Sequence, residues 1–119
     1  MKAVIAAYAR SPFHFAKKGA LAAVRPDALA AEVVKALLAR TDFDPALLED
    51  VILGCAYPEA AQGNNLARIV GLLAGLPHAV PGMTVNRFCG SSMQSQPGAM
   101  PPAGQTPWPA RSVLRYIWT

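Results

Sequence analysis

Two rhythms of apolar residues run along this chain, and the places where one gives way to the other predict its elements. Ala3 to Tyr8 (AVIAAY) is apolar throughout, with β-formers at its centre, and Arg10-Ser11-Pro12-Phe13 closes it. A run apolar on both faces suits a strand covered on both sides, as in a parallel α/β sheet. Arg25-Pro26-Asp27 then opens a helix, with proline at the first helical position and an acid in the first turn. Leu29, Val33, Val34, Leu37 and Leu38 recur at helical spacing on it, and Thr41-Asp42 ends it. Asp44-Pro45 begins a short turn carrying Leu47 and Leu48, and Val51-Ile52-Leu53-Gly54-Cys55-Ala56 reads as a second buried strand.

The loop from Tyr57 to Gly63 leads to Asn64-Asn65, either of which can cap the next helix. Leu66, Ile69, Val70, Leu73 and Leu76 form the expected apolar face of that helix, and Gly75 and Pro77 close it. Met83-Thr84-Val85 is a third short strand. Strand, helix, strand, helix, strand and a turn into a further helix amount to successive right-handed crossover units, the start of a layered α/β fold. Between the first strand and first helix, Lys17-Lys18-Gly19 lies in a loop read as solvated, and His14 beside it as a surface or packing histidine.

Composition narrows the function classes. The chain has 119 residues, 53% hydrophobic and 15% charged, enough for one small domain and unlike a disordered chain. No apolar run approaches the roughly 20 residues of a membrane span. The opening run is too short for a signal peptide, so the expectation is a cytoplasmic protein that engages no membrane. The net charge of +4 is spread without a basic face, which argues against a nucleic-acid partner. Cys55 and Cys89 make neither a zinc pattern nor a disulfide framework. Cys55, inside a strand, reads as a small core residue.

Cys89 is the candidate chemistry. In PGMTVNRFCGSSMQ (Pro81 to Gln94) it falls between the end of a strand and the start of a helix, where unpaired N–H groups and the helix dipole favour the nucleophilic thiolate. Gly90, Ser91 and Ser92 follow it and have no bulk to block a ligand. Spacing alone serves equally well for a nucleophile and for a buried cysteine at a tight turn. A thiol sensor resting on Cys89 alone is a further option.

The segment VNRFCGSSMQ resembles the active-site segment of the thiolases, the acyl-CoA C-acyltransferases. AAYARSPF followed by GAL, the strand DVILGCAYPEA and the helix GNNLARIVGLLAGLP resemble the same family in the same order, so the likeness covers residues 1–94. Ketoacyl synthases share the fold and a nucleophilic cysteine, but their cysteine segment reads differently. The resemblance implies a partial thiolase-like α/β domain over residues 1–95 and acyl transfer between 3-ketoacyl-CoA and CoA. It implies Cys89 as the acyl-thioester nucleophile and its own backbone N–H as an oxyanion donor. It also implies coenzyme A as substrate with no bound cofactor and no metal, service in fatty acid β-oxidation or acetoacetyl-CoA metabolism, and assembly as a homodimer or homotetramer.

The resemblance stops at Gln94. From Pro97 to Pro109 there are five prolines and two glycines with almost no apolar periodicity, and residues 96–119 are expected to be an irregular, disordered tail. The family's remaining catalytic groups, a histidine in a Gly-His-Pro motif and a cysteine in a Cys-x-Gly motif, have no counterpart here. His78 does not match either. The change of composition in mid-helix suggests a change of reading frame near codon 95. The alternative to an active acyltransferase is therefore an inactive truncated fragment, or an interaction piece that pairs with an intact thiolase.

Overall fold

The computed structural model describes residues 5–95 with their side chains, and the backbone of residues 112–117. Helix α1 spans Pro26–Thr41, β1 Leu48–Gly54, α2 Leu66–Leu73, β2 Gly82–Val85, α3 Ser91–Ser95 and β3 Ser112–Ile117, with single 3-10 turns at Pro45–Leu47 and Ala60–Gln62. The strands make one parallel sheet in the order β2-β1-β3. Val51 of β1 lies opposite Gly82, and Gly54 opposite Val85.

β1 is the centre of the molecule, and its alternation decides the layers. Val51, Leu53 and Cys55 face a core shared with Ala30, Ala31, Val33 and Val34 of α1 and with Leu66, Ala67 and Val70 of α2. Ile52 and Gly54 belong to the opposite face, where the start of α3 lies against Gly54. Val51, Ile52 and Leu53 are all at most 2% exposed, as a central parallel strand requires.

The helix ends follow local chemistry. α1 begins at Pro26, and buried Asp27 accepts from two nitrogens of Arg25 (Nε 3.1 Å, Nη2 2.7 Å) and from the N–H of Ala28. Asp42, in the left-handed region, caps its far end. Asn65 caps α2 by accepting from the Arg68 N–H at 3.3 Å. Gly75, at φ +78°, ends it in a Schellman arrangement, Leu76 N–H bonding Gly71 O and Gly75 N–H bonding Leu72 O.

Three expectations change. Residues 5–8 of the predicted first strand form no strand, and Ile5 and Tyr8 are 86% and 85% exposed. The β1 edge away from β2 is held by Ser112–Ile117, so part of the predicted irregular tail is a strand; residues 96–111 and 118–119 lie outside the described ones. Leu73 is exposed, and α2 buries Leu66, Ala67, Val70 and Gly71 instead. Ala67 carries only a methyl group and Gly71 no side chain, so the helix can approach the sheet closely on that stripe, which turns the larger Leu73 outward. The α/β class itself holds.

Candidate active site

Cys89 stands at the C-terminal end of the sheet, where parallel α/β folds place their sites. β2 ends at Val85, and within a few residues the chain reverses into α3. Phe88, directly before the cysteine, takes a left-handed conformation at φ +46°. A bulky non-glycine residue in that region is strained by about 1–3 kcal/mol and persists only where its surroundings enforce it. Here the enforcement is visible. Asn86 Oδ1 accepts from the Phe88 N–H at 2.9 Å. Ser91 Oγ accepts from the Arg87 N–H at 2.8 Å and donates to Phe88 O at 2.6 Å. The Gly90 and Ser91 N–H groups close the turn onto Arg87 O and Phe88 O, each at 3.0 Å. The Cys89 N–H is none of these donors.

α3 seats the turn on β1. A Cβ at Gly54 would come within 2.5 Å of the Ser91 carbonyl carbon and oxygen and 2.6 Å of the Ser92 nitrogen. Only glycine allows that approach, and the Cys55 N–H bonds Val85 O at 2.9 Å immediately beside it. Ser91 and Ser92 are buried, at 2% and 7% exposure. They face the protein, so their side chains stay clear of the exposed sulfur; Ser91 spends its hydroxyl on holding the turn. The exposed residues near Cys89 in the chain are mixed, with Asn86 and Arg87 among them. Phe88 and Met93 are exposed, and Tyr57, from the loop after β1, meets the Phe88 ring edge-on at 6.5 Å between centroids.

The two cysteines separate cleanly. Cys89 is exposed and free, while Cys55 is free and buried at 1% exposure, as its place in a strand suggested. Among the described residues no side chain hydrogen-bonds the Cys89 sulfur. His78 precedes β2 and offers its carbonyl to Arg68, so it sits at the opposite end of the sheet from Cys89. No cluster of metal-ligating side chains occurs among the described residues, and no described helix is long and apolar enough to cross a membrane.

A second network supports the strand that delivers the cysteine. Thr84 Oγ1 accepts from the Ala67 N–H at 2.9 Å and donates to Asn65 Oδ1 at 3.0 Å, and Asn65 Nδ2 donates to Gly82 O at 2.7 Å. Arg68 donates to the carbonyls of Val80 and His78. The N-terminus of α2 is thereby tied to the whole length of β2. Of the two candidate caps, Asn64 and Asn65, it is Asn65 that takes the role, and its partner Thr84 carries no local signal because the two are 19 positions apart.

With the geometry in place, comparison with known proteins is informative. The family described as thiolase, N-terminal domain, matches residues 3–100. A 3-ketoacyl-CoA thiolase of Bacillus subtilis (strain 168) is 54% identical over 94 residues, 79% of this chain and 24% of that protein. Proteins of the same name from Acinetobacter baumannii and Psychrobacter arcticus are 52% and 50% identical over 86 residues, 72% of this chain and 22% of each. The chain thus spans about a quarter of the length of the curated relatives it matches.

Proposed function

The chain belongs to the thiolase family, matching its N-terminal domain, and on that premise we propose that it carries the nucleophilic half of an acyl-transfer site acting between 3-ketoacyl-CoA and CoA. The observation that carries the reading is Cys89 itself: an exposed free thiol next to a strained left-handed residue, on a turn locked by Ser91 and pressed against Gly54. In this chemistry the thiolate adds to the keto carbon. The bond between that carbon and the neighbouring one then breaks, its electron pair leaving with the acetyl-CoA fragment, which takes up a proton. The acyl group stays on sulfur as a thioester until a CoA thiol removes it. The Cys89 N–H, which is not among the donors closing the turn, is the group we assign to the developing oxyanion. Coenzyme A is then substrate and no cofactor is needed. The relatives' name supports service in fatty acid β-oxidation or acetoacetyl-CoA metabolism, and we place the protein in the cytoplasm, where two free thiols would persist. A homodimer or homotetramer is the assembly we infer.

A second reading, an inactive fragment or an interaction piece for an intact thiolase, is favoured by one observation. No described side chain is bonded to the sulfur to take its proton or to supply one to the leaving group, and such a partner is worth about 10²–10⁴-fold in rate. One experiment addresses both. The chain is incubated with acetoacetyl-CoA, with and without CoA, beside Cys89→Ala, and both the intact mass and thiolysis are followed. We expect an acyl adduct confined to Cys89 and no sustained turnover. Absence of the adduct, or its survival in Cys89→Ala, overturns the nucleophile assignment. Sustained turnover overturns the inactive-fragment reading.

A further inference from the structure

β1 has one hydrogen-bonding edge beyond β2, and two segments of this chain suit it. Ser112–Ile117 holds that edge in the structure, parallel to β1. The other segment is Ala3–Tyr8, uncharged throughout and carrying the β-branched pair Val4-Ile5.

Three observations mark the present pairing as the weaker match. β1 is buried on both faces, so its neighbour should be continuously apolar, yet the register sets Arg115 across from Ile52, which is 2% exposed. The ladder also slips between Leu48 and Asp50, which interrupts it. Residues 112–117 lie beyond the stretch that matches the family, which ends at residue 100.

Residues 5–8 of the N-terminal run, for their part, belong to no strand. Ile5 and Tyr8 are almost fully exposed, and Ile5, Ala6, Ala7 and Tyr8 border an open cleft of about 320 Å³ with Leu37, Arg40 and Thr41 rather than closing on them. A strand at Ala3–Tyr8 followed by α1 and then β1 is an ordinary right-handed crossover, so the connection permits the pairing.

We propose that the β1 edge is an exchange site, occupied alternately by Ser112–Ile117 and by Ala3–Tyr8, with one segment released whenever the other is bound. The consequence reaches the cysteine, because α3 lies along both β1 and β3. Exchange of the neighbouring strand changes the platform on which the Cys89 turn rests. The proposal stands apart from the acyl-transfer reading and is tested without any activity measurement.

The test is amide hydrogen exchange on the full chain. In the unaltered protein, amides 5–8 and 113–117 should both exchange faster than those of Val51 to Leu53, since each set is bonded for only part of the time. Leu114→Pro removes a donor from the tail strand, and amides 5–8 should then slow by at least about tenfold while β1 stays protected. Ile5→Pro should slow amides 113–117. The proposal is overturned if Leu114→Pro leaves amides 5–8 unchanged, or if both segments are as protected as β1 in the unaltered chain, which would mean a larger sheet. Should Leu114→Pro open β1 as well, Leu114→Asn decides. It keeps every backbone donor, and amides 5–8 must still slow by about threefold or more.

Discussion

Replacing Gly54 by alanine tests how the cysteine is positioned. The added Cβ would sit 2.5 Å from the carbonyl carbon and oxygen of Ser91 and 2.6 Å from the Ser92 nitrogen. Ordinary carbon contacts begin near 3.4 Å, so α3 must retreat by about 1 Å, and its backbone cannot swing aside as a flexible side chain could. Overpacking of this kind costs about 1–3 kcal/mol. The same retreat pulls on the Ser91 hydroxyl that holds Phe88 in its strained conformation, and a 1 Å misplacement of a reacting group can cost about 10²-fold in rate. Urea denaturation should therefore show a lower midpoint at unchanged slope. Amide exchange at Ser91 and Gln94, whose N–H groups bond Phe88 O and Gly90 O, should quicken more than exchange in α1. Gly71→Ala is the control. A Cβ there meets Leu76 Cδ1 at 3.6 Å and Val51 Cγ2 at 3.9 Å, which is ordinary contact, and a helical glycine gains up to about 1 kcal/mol on becoming alanine. If Gly54→Ala matched the unaltered chain in midpoint and in exchange at Ser91, the account of how β1 seats the cysteine turn would be wrong.

Other expectations follow from the same contacts. Thr84→Val removes the acceptor for Ala67 N–H and the donor to Asn65, and should cost about 1–2 kcal/mol in urea unfolding; combined with Asn65→Ala the losses should fall short of their sum, since one network is broken twice. Asp27 is held below 3.8 chiefly by its hydrogen bonds from Arg25, against the opposing effect of burial. Its contribution is therefore complete above the ordinary carboxylate range and lost as pH falls through its lower folded value. The stability gap between the unaltered chain and Asp27→Asn should stay constant at neutral pH and narrow below 3.8, and a gap that widened in acid would contradict the pairing. Iodoacetamide should label Cys89 in the native chain and reach Cys55 only on unfolding, so that Cys89→Ala takes up no label until denaturant is added; native labelling of Cys55 would contradict its burial.

Much of this protein could be read directly. The start of α1 at Pro26, a cap at Asn64 or Asn65, the Gly75 stop, the buried run of β1 and the strand-to-helix turn at Cys89 all depend on residues a few positions apart. Caps, proline and glycine preferences and helical periodicity act over a single turn of chain, and for that reason they survive in the linear order of residues. The cysteine segment was legible for the same reason, since its residue types are consecutive.

What was not legible depends on segments meeting from far apart. Nothing near Ser91 and Ser92 announces that they face inward; the approach of β1 at Gly54 decides it. Leu73 has the right spacing for the core, but Ala67 and Gly71 let α2 settle closer on a neighbouring stripe. The left-handed Phe88 is a local exception, imposed by its near neighbours Asn86 and Ser91 against its own preference. Above all, residues 5–8 belong to a run with every local mark of a strand, yet a strand needs a free edge, and the edge of β1 beyond β2 is held by Ser112–Ile117. Local order thus settles which segments can be helix or strand and where the exposed sulfur lies. Pairing along the edges of β1 and packing on one close face, both supplied by segments remote in sequence, settle which of them are.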